Sequence, residues 1–373
     1  GNGLFIYNPK EDELQHFSAA DKDPLFHSDF LLNIFIDRSG CIWICTGDGV
    51  YCCRELKDLY TEHVKIEPNT NREWSNYVRH ISNIGNDKLA VSTRANRTYI
   101  YDTRTQQRTL ERQTDACVYD YAIDPQGKKW ISTKGDGIYI DNVRYSKYKK
   151  EHYAPGAAFY KTIFDKQGRA WIATWGEGLL ITPQTMGQQP RKFEQFLNAD
   201  GKEAQIHDLL LDRKGRLWVC SNNGILMVNT AEKKITAQKF LRFSDENGKL
   251  PVSEINCGIE AHDGKLWFAA TGGVLKCSYD EKTRELEYEL FDTSKGLTDN
   301  NTRSLEEDNY GNIWIGTEEG ISRLNAKTND IRSFQTGRTI FSNNFTENCA
   351  TKLNDGRLVF GVSAGMIFIQ PSR

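Results

Sequence analysis

Apolar and polar positions alternate in short blocks along the chain, and the apolar blocks return at nearly regular intervals. Phe30-Leu-Leu-Asn-Ile-Phe-Ile-Asp37 is an early example. It is β-branched, apolar and too short for a helix, so it predicts a buried strand. Asp37-Arg-Ser-Gly40 then predicts a tight turn, with the Asp side chain accepting backbone hydrogen bonds and Gly supplying the left-handed conformation. Ile42-Trp-Ile-Cys-Thr46 reads as a second strand, Gly47-Asp-Gly49 as a loop and Val50-Tyr-Cys52 as a third strand. Third strands recur at Gly137-Ile-Tyr-Ile-Asp141, Gly178-Leu-Leu-Ile-Thr182 and Gly320-Ile-Ser-Arg-Leu-Asn325. More amphipathic fourth strands follow in Arg191-Lys-Phe-Glu-Gln-Phe196 and Leu286-Glu-Tyr-Glu-Leu-Phe291. Helical periodicity is not found anywhere.

Aligned on the second strand, the pattern occurs eight times, at positions 43, 90, 130, 171, 218, 267, 314 and 359. Six of these positions are Trp; Ala90 and Val359 replace it in the other two. The fifth Trp copy is weakened, with Asp263-Gly264 in its turn. A period of roughly 40–50 residues with four short antiparallel strands per unit is the signature of a β-propeller. The predicted fold is therefore all-β, one propeller domain over 1–373. Its repeat cores lie near 37–53, 84–101, 124–141, 165–182, 212–228, 261–277, 308–325 and 353–370. Eight cores favour eight blades; the alternative is seven blades plus extra strands from a neighbouring propeller. Gly3 to Asn8 reads as a third strand and Leu14 to Phe17 as a fourth. A chain that starts partway through a unit predicts closure by a terminal strand completing the last blade.

Length alone, at 373 residues, would suggest two or three domains, and the repeat overrides that. The 30 Gly and 8 Trp become turn and packing residues of the repeat. Lys+Arg 48 against Asp+Glu 50 shows no electrostatic footprint for nucleic acid. Mean hydropathy of −0.61, without a long apolar run, excludes membrane contact by a spanning segment. No charged-then-apolar leader precedes Asn2, so a signal peptide is absent or already removed.

The unit Asp-x-x-Gly-x-Ile/Leu-Trp-Ile-x-Thr-x-x-Gly-Ile/Leu resembles the two-component regulator propeller repeat. The resemblance runs from Gly3-Leu-Phe-Ile-Tyr-Asn-Pro9 to Gly365-Met-Ile-Phe-Ile-Gln-Pro371. The Phe345 to Gly361 unit is similar to the terminal blade of that family's second propeller. The resemblance implies the periplasmic sensor region of a hybrid two-component system of the Bacteroides type, a homodimer in its full-length form. A β-sandwich, a membrane helix and a histidine kinase follow in that family, and the chain reads as a fragment of such a sensor.

Nine cysteines (Cys41, Cys45, Cys52, Cys53, Cys117, Cys220, Cys257, Cys277 and Cys349) fall in predicted strands. Cys45 and Cys220 occupy a slot filled by Ala173 or Gly316 in sister copies, which reads as a small buried hydrophobe. No Cys-x-x-Cys pair occurs, so zinc is not expected. A periplasmic location leaves one distant disulfide open. The seven histidines are scattered without ligand spacing, and no phosphate-binding Gly-x-x-x-x-Gly-Lys motif occurs. Neither a metal, a cofactor nor a catalytic set is expected. The sialidase box, Asp-x-Gly-x-x-Trp, is one residue shorter than this turn. Streptogramin-lyase-like propellers carry a broadly similar Gly-x-Leu-Trp unit, which keeps a lyase as the enzymatic alternative.

In a propeller, the loops leading into the innermost strands and those joining strands two and three share one face. The second unit departs most from the repeat there. Trp74-Ser-Asn-Tyr77-Val-Arg79 and Thr93-Arg94-Ala-Asn96-Arg97 gather two aromatics and three arginines. Trp175 lies on the same side, outside the repeat Trp position. Neighbouring innermost strands add Tyr119, Tyr160, His207, Asn256, Arg303 and Asn344. Aromatic faces stack on sugar rings and Arg pairs with carboxylate or sulfate. The expected site is therefore Trp74, Tyr77, Arg79, Arg94, Arg97, Tyr160, Trp175, His207, Arg303 and Asn344, with an acidic or sulfated oligosaccharide as ligand. The expected function is a non-catalytic carbohydrate sensor. A lyase or glycosidase, or a protein-interaction platform, are the alternatives.

Overall fold

The computed structural model describes residues 2–8, 12–21, 24, 26–38, 41–54, 59–72, 74–156, 158–182, 194–197, 205–232, 234–334 and 344–371. Gly40 of the first turn and residues 191–193 of one expected fourth strand lie outside them, as does the side chain of Cys53. The chain divides into two compact units, Gly1–Tyr60 and Thr61–Pro371. The first holds a hairpin, Leu4–Asn8 with Glu13–Phe17, and a three-stranded sheet of Leu31–Ile36, Cys41–Thr46 and Gly49–Arg54. Phe26, Ile44 and Leu4 form its small core.

Seven four-stranded antiparallel sheets follow. Their innermost strands are Val78–Gly85, Val118–Ile123, Ala158–Phe164, Ile206–Leu211, Ile255–Glu260, Thr302–Glu307 and Phe345–Lys352. Each lies beside the next, and Phe345–Lys352 lies beside Val78–Gly85, so the ring of sheets closes. The outermost strand of the seventh sheet is Leu59–Val64, taken from the N-terminal side of the chain. This corrects two expectations. Among the described residues the eight repeat cores do not make eight equal sheets: seven four-stranded sheets form the ring, and the 37–53 core forms a three-stranded sheet. The closing strand is Leu59–Val64, because Leu4–Asn8 and Glu13–Phe17 pair with each other instead.

One carboxylate organises five of the repeats, those of Asp37, Asp124, Asp165, Asp212 and Asp308. Asp212 Oδ1 accepts from the Lys214 and Arg216 backbone N–H groups at 3.0 and 2.9 Å, which fixes the turn. Its Oδ2 accepts from Trp218 Nε1 at 2.8 Å and Arg216 Nε at 2.6 Å. Asp165 and Asp308 do the same for Trp171 and Trp314. Gly215, at φ 80, supplies the left-handed residue that closes the turn. The anchored indole then lies against the next sheet: Trp171 on Leu209 and Leu217, Trp218 on Leu266 and Phe268, Trp267 on Ile313 and Ile315. Four of these rings are wholly buried, each contributing about 4–6 kcal/mol of apolar transfer. Where Ala90 replaces Trp, Tyr121 from the following sheet fills the space.

Cys220, Cys257, Cys277 and Cys349 are buried, as expected of small core residues, and Cys117 lies just ahead of its strand. Cys45, Cys117, Cys220, Cys257, Cys277 and Cys349 are free thiols. Burial pushes the Cys349 thiol up to about 12.

The weakened copy shows what the carboxylate does. Ala261 stands where its sisters have Asp, and Trp267 Nε1 is buried without a hydrogen-bond partner. An unsatisfied buried donor costs roughly 1–3 kcal/mol. Ala261→Asp would meet the Trp267 indole and the backbone N–H groups of the turn, and we expect it to raise the urea midpoint by an amount corresponding to about 1 kcal/mol. Asp212→Ala, which strands the Trp218 indole and the Arg216 guanidinium, should lower stability by about 3 kcal/mol. A lower midpoint for Ala261→Asp would show that the indole bond is not the stabilising element.

Candidate functional site

Radial packing leaves one edge of every innermost strand turned away from its own sheet, and the exposed backbone groups there need partners. Side chains from the adjacent innermost strand supply them. Tyr121 N–H donates to His80 Nε2 at 3.2 Å, Thr162 N–H to Asp120 Oδ2 at 2.8 Å, and Gly258 N–H to Asp208 Oδ2 at 3.1 Å. Asn256 Nδ2 donates to the Thr302 carbonyl at 2.7 Å, and Thr346 Oγ1 to the Val78 carbonyl at 2.8 Å.

The result is a buried polar throat that local sequence patterns do not announce. Lys161 Nζ lies 3.5 Å from Asp120 Oδ1. Burial works against the Lys161 charge, but Asp120 and Asp208 more than offset it, so its pKa is raised. Burial likewise holds both carboxyls above the usual carboxylate range, against the pull of Lys161. Asn348, at φ 45, reaches across from the seventh sheet to donate to Asp208 Oδ1 at 2.8 Å. It belongs to an irregular stretch between Phe345 and Ala350 where the strand leaves register with its partner. This stretch spans the throat and separates it from the face above.

On that face a register shift recurs at one place in the first six innermost strands. The residues it displaces are Arg79, Tyr119, Tyr160, His207, Asn256 and Arg303. A bulge re-aims a side chain out of the ladder, and here it brings several of the expected residues together. The Arg79 guanidinium lies 3.7 Å from the centroid of Tyr119, which meets Tyr160 edge-on at 4.6 Å. Tyr160 stacks on Trp175 at 5.5 Å, and Trp175 meets His207 edge-on at 5.3 Å. Trp175 is the open member, 37% exposed, with exposed Lys134 5.9 Å from its centroid. His207 is 8% exposed, and its Nε2 has no hydrogen-bond partner in the protein. Burial lowers its pKa, although the Glu347 and Glu254 carboxylates pull the other way, so the imidazole is neutral at neutral pH.

Among the repeats above this throat, the segment containing Asp308, Gly311 and Trp314 decides the comparison with known proteins. Residues 296–319 match the two component regulator propeller family. The propeller is also similar to "Histidine kinase P4" of Formosa agariphila, 22% identical over 172 residues, 45% of this chain and 12% of that protein. The chain thus spans only a small part of the length of that relative. The fold is similar to the extracellular domain of a protein from B. thetaiotaomicron named as a one component system. That likeness has a TM-score of 0.61 and 19% identity, and covers 100% of this chain and 52% of the other. It is likewise similar to virginiamycin B lyase from Staphylococcus aureus, solved as an inactive variant with quinupristin. There the TM-score is 0.62 with 17% identity, covering 85% of this chain and 100% of the lyase. At such identities the solved structures establish the propeller fold and not its chemistry. Among the described residues no helix is long and apolar enough to cross a membrane.

The other expected residues of the propeller sort into two groups. Tyr77 and Trp74 pack at 5.7 Å beneath Arg94, whose guanidinium lies 4.1 Å from Tyr77 and 5.5 Å from Trp74. Both Arg79 and Arg94 act on the Cys117 thiol, so this cluster adjoins the Trp175 arc. Arg97 and Arg303 are committed to the scaffold. Arg97 is 2.9 Å from Glu67, which also accepts from the Tyr99 hydroxyl at 2.5 Å. Arg303 donates to Asn344 Oδ1 at 2.9 Å and pairs with Glu318 at 3.0 Å. Asn344 lies just before the seventh innermost strand, at the rim, and not within it. Sequence reasoning missed Lys134, Glu254 and Glu347, whose loops carry no departure from the repeat strong enough to mark them.

His80 gives the throat a pH dependence. Its Nε2 accepts a buried N–H, and burial lowers its pKa well below 6.5. The unfolded chain therefore binds more protons below about pH 6.5, and stability present above that pH is lost as pH falls. His63 and His207 shift the same way. Glu306, pushed by burial up to about 7, and the raised carboxyls of Asp120 and Asp208 work in the opposite direction, so the His80 contribution is read by difference. The change in urea midpoint from pH 7.5 to 5.5 should be more favourable in His80→Gln, which keeps an acceptor for Tyr121 N–H, than in the parent protein; an equal change would assign the effect to other groups.

Proposed function

We propose that this chain is the sensor propeller of a hybrid two-component signalling protein. It detects a glycan-derived oligosaccharide in the periplasm and passes the signal to a histidine kinase elsewhere in the full protein, which acts as a homodimer. The match to the regulator propeller and the likenesses to a histidine kinase and to an extracellular domain support this reading. The observation that carries it is Trp175. Its ring is open on a face where the neighbouring rings are buried, with Lys134 5.9 Å from its centroid and His207 edge-on beside it, where the charges of Glu254 and Glu347 also act. An aromatic platform ringed by hydrogen-bonding groups suits a sugar, whose apolar face stacks while its hydroxyls bond at the edge.

One observation favours the lyase alternative: a neutral, buried imidazole with an unbonded nitrogen is poised as a general base. Calorimetry with a panel of neutral and acidic oligosaccharides separates the two. The sensor reading expects binding without turnover, and a loss of about tenfold or more in affinity for Trp175→Ala with the fold intact. Turnover of a bound sugar, abolished by His207→Ala, would establish the lyase instead; unchanged affinity in Trp175→Ala would remove this site.

A further inference from the structure

A second recess opens on the same face, where the segment after Leu59–Val64 meets the loop between Leu358–Val362 and Gly365–Pro371. It is a groove of about 360 Å³ whose walls include Lys65, Arg72, Trp74 and Tyr77, with Ser363 and Ala364 opposite. Arg94 lies over the Tyr77 and Trp74 rings at its edge. Three cations thus converge, and no carboxylate lines the groove among the described residues. Glu67, which lies nearby in sequence, is taken up by Arg97 and Tyr99, and burial is outweighed by these partners so that it stays ionised below its usual range.

Another recess of this unit behaves differently. The groove of about 570 Å³ beside Arg216 also gathers cations, but Glu232 and Glu281 stand in its walls and pair with Lys239 at 2.8 Å and Lys214 at 3.1 Å. Four cations, Lys214, Arg216, Lys239 and Arg284, meet two carboxylates there, so part of its charge is paired within the groove. Among the described residues the cations around Trp74 meet no carboxylate in their groove.

The backbone at Trp74 supplies an independent sign. Trp74 has φ 67 and is 46% exposed. A bulky residue in the left-handed region costs roughly 1–3 kcal/mol. Leaving half of an indole in water forfeits the burial that usually makes Trp worth its size. Neither cost serves packing, and both hold an aromatic face open beside Arg94 and Arg72.

We propose that this groove is an anion-binding subsite, which takes the carboxylate or sulfate of an acidic sugar with the ring of that sugar against Trp74. The proposal extends the sensor reading and rests on it for the sugar. It divides the face between a charged end of the ligand, held by Lys65, Arg72 and Arg94, and a neutral part on Trp175, where Glu254 and Glu347 disfavour a second anion. Guanidinium groups give the oxyanion paired donors and the ammonium adds a point charge.

The 373-residue protein is titrated at low and high salt with an acidic tetramer of three xyloses and one terminal glucuronate, inorganic sulfate and a neutral maltotetraose, with tryptophan fluorescence and calorimetry as readouts. The tetramer should bind with an affinity that falls as salt rises, and sulfate should produce a weaker saturable response. Trp74→Phe should remove the fluorescence change that sulfate produces. Lys65→Ala combined with Arg72→Ala should weaken the tetramer by about tenfold or more and flatten its salt dependence, while Arg72→Lys retains most of the binding. A response to the tetramer alone would assign the groove to uronates, and a response to both probes to any oxyanion. No saturable response to either anion at low salt would overturn the proposal, as would wild-type affinity in the double variant. Failure of maltotetraose to bind, or an unchanged affinity in Trp175→Ala, counts against the sugar platform at Trp175 and leaves the groove standing.

Discussion

The free edge of the innermost strand is the constraint from which the functional face follows. A sheet set radially in a ring cannot pair that edge with another strand, yet its N–H and C=O groups face a narrow, poorly solvated throat. The chain answers with side chains: His80, Asp120 and Asp208 accept from the next strand, while Asn256 and Thr346 donate to it. The acceptors His80, Asp120 and Asp208 come from residues just past the register shift. The shift therefore fixes both what the throat looks like and which neighbouring residue is turned up toward solvent. Arg79, Tyr119, Tyr160 and His207 stand where they do because the residue after each is needed below.

The outer part of each sheet depends on a different device, the Asp carboxylate that ties a turn to an indole. Its four acceptor contacts at Asp212 join local backbone, a neighbouring guanidinium and a ring that belongs to the packing between sheets. Turn formation and sheet packing are thereby one event. Trp43 shows that the hydrogen bond alone does not bury the ring: it keeps its bond to Asp37 at 2.9 Å while remaining 39% exposed. Burial comes from the sheet that covers the indole, and the anchor only presents it.

How much of this the sequence discloses depends on the range of the interaction. Asp-x-x-Gly-x-x-Trp is local, so the strands, the turns and the buried Trp171, Trp218 and Trp314 are legible from spacing alone. The face proposed to carry the site stands out as well, because Trp74, Tyr77, Arg94 and Trp175 break a repeat that is otherwise regular. Pairings between distant segments are not. The 37–53 core has the same local sequence as its sisters, and nothing in it says that Leu59–Val64 will complete the sheet of Phe345–Lys352. Likewise Asn348 reaches Asp208 across 140 positions, and Lys161 reads as an ordinary charged residue until Asp120 is placed beside it. The Arg97–Glu67 pair was hidden for the same reason, and with it the distinction between arginines that hold the scaffold and those that stay free.

The division of charge on the face then has a physical origin. Positions below the bulge are bound to backbone accounting and tolerate few residue types. Loop positions above it are not, and there the chain has put Lys65, Arg72, Arg94 and Lys134 together with Glu254 and Glu318. Scaffold pairing consumes part of each set: Arg303 neutralises Glu318, and Glu67 neutralises Arg97. Beneath them the stretch around Asn348 reaches across the throat, where Asn348 donates to Asp208 of another sheet, so the polar throat and the loops above it are tied together by one irregular strand.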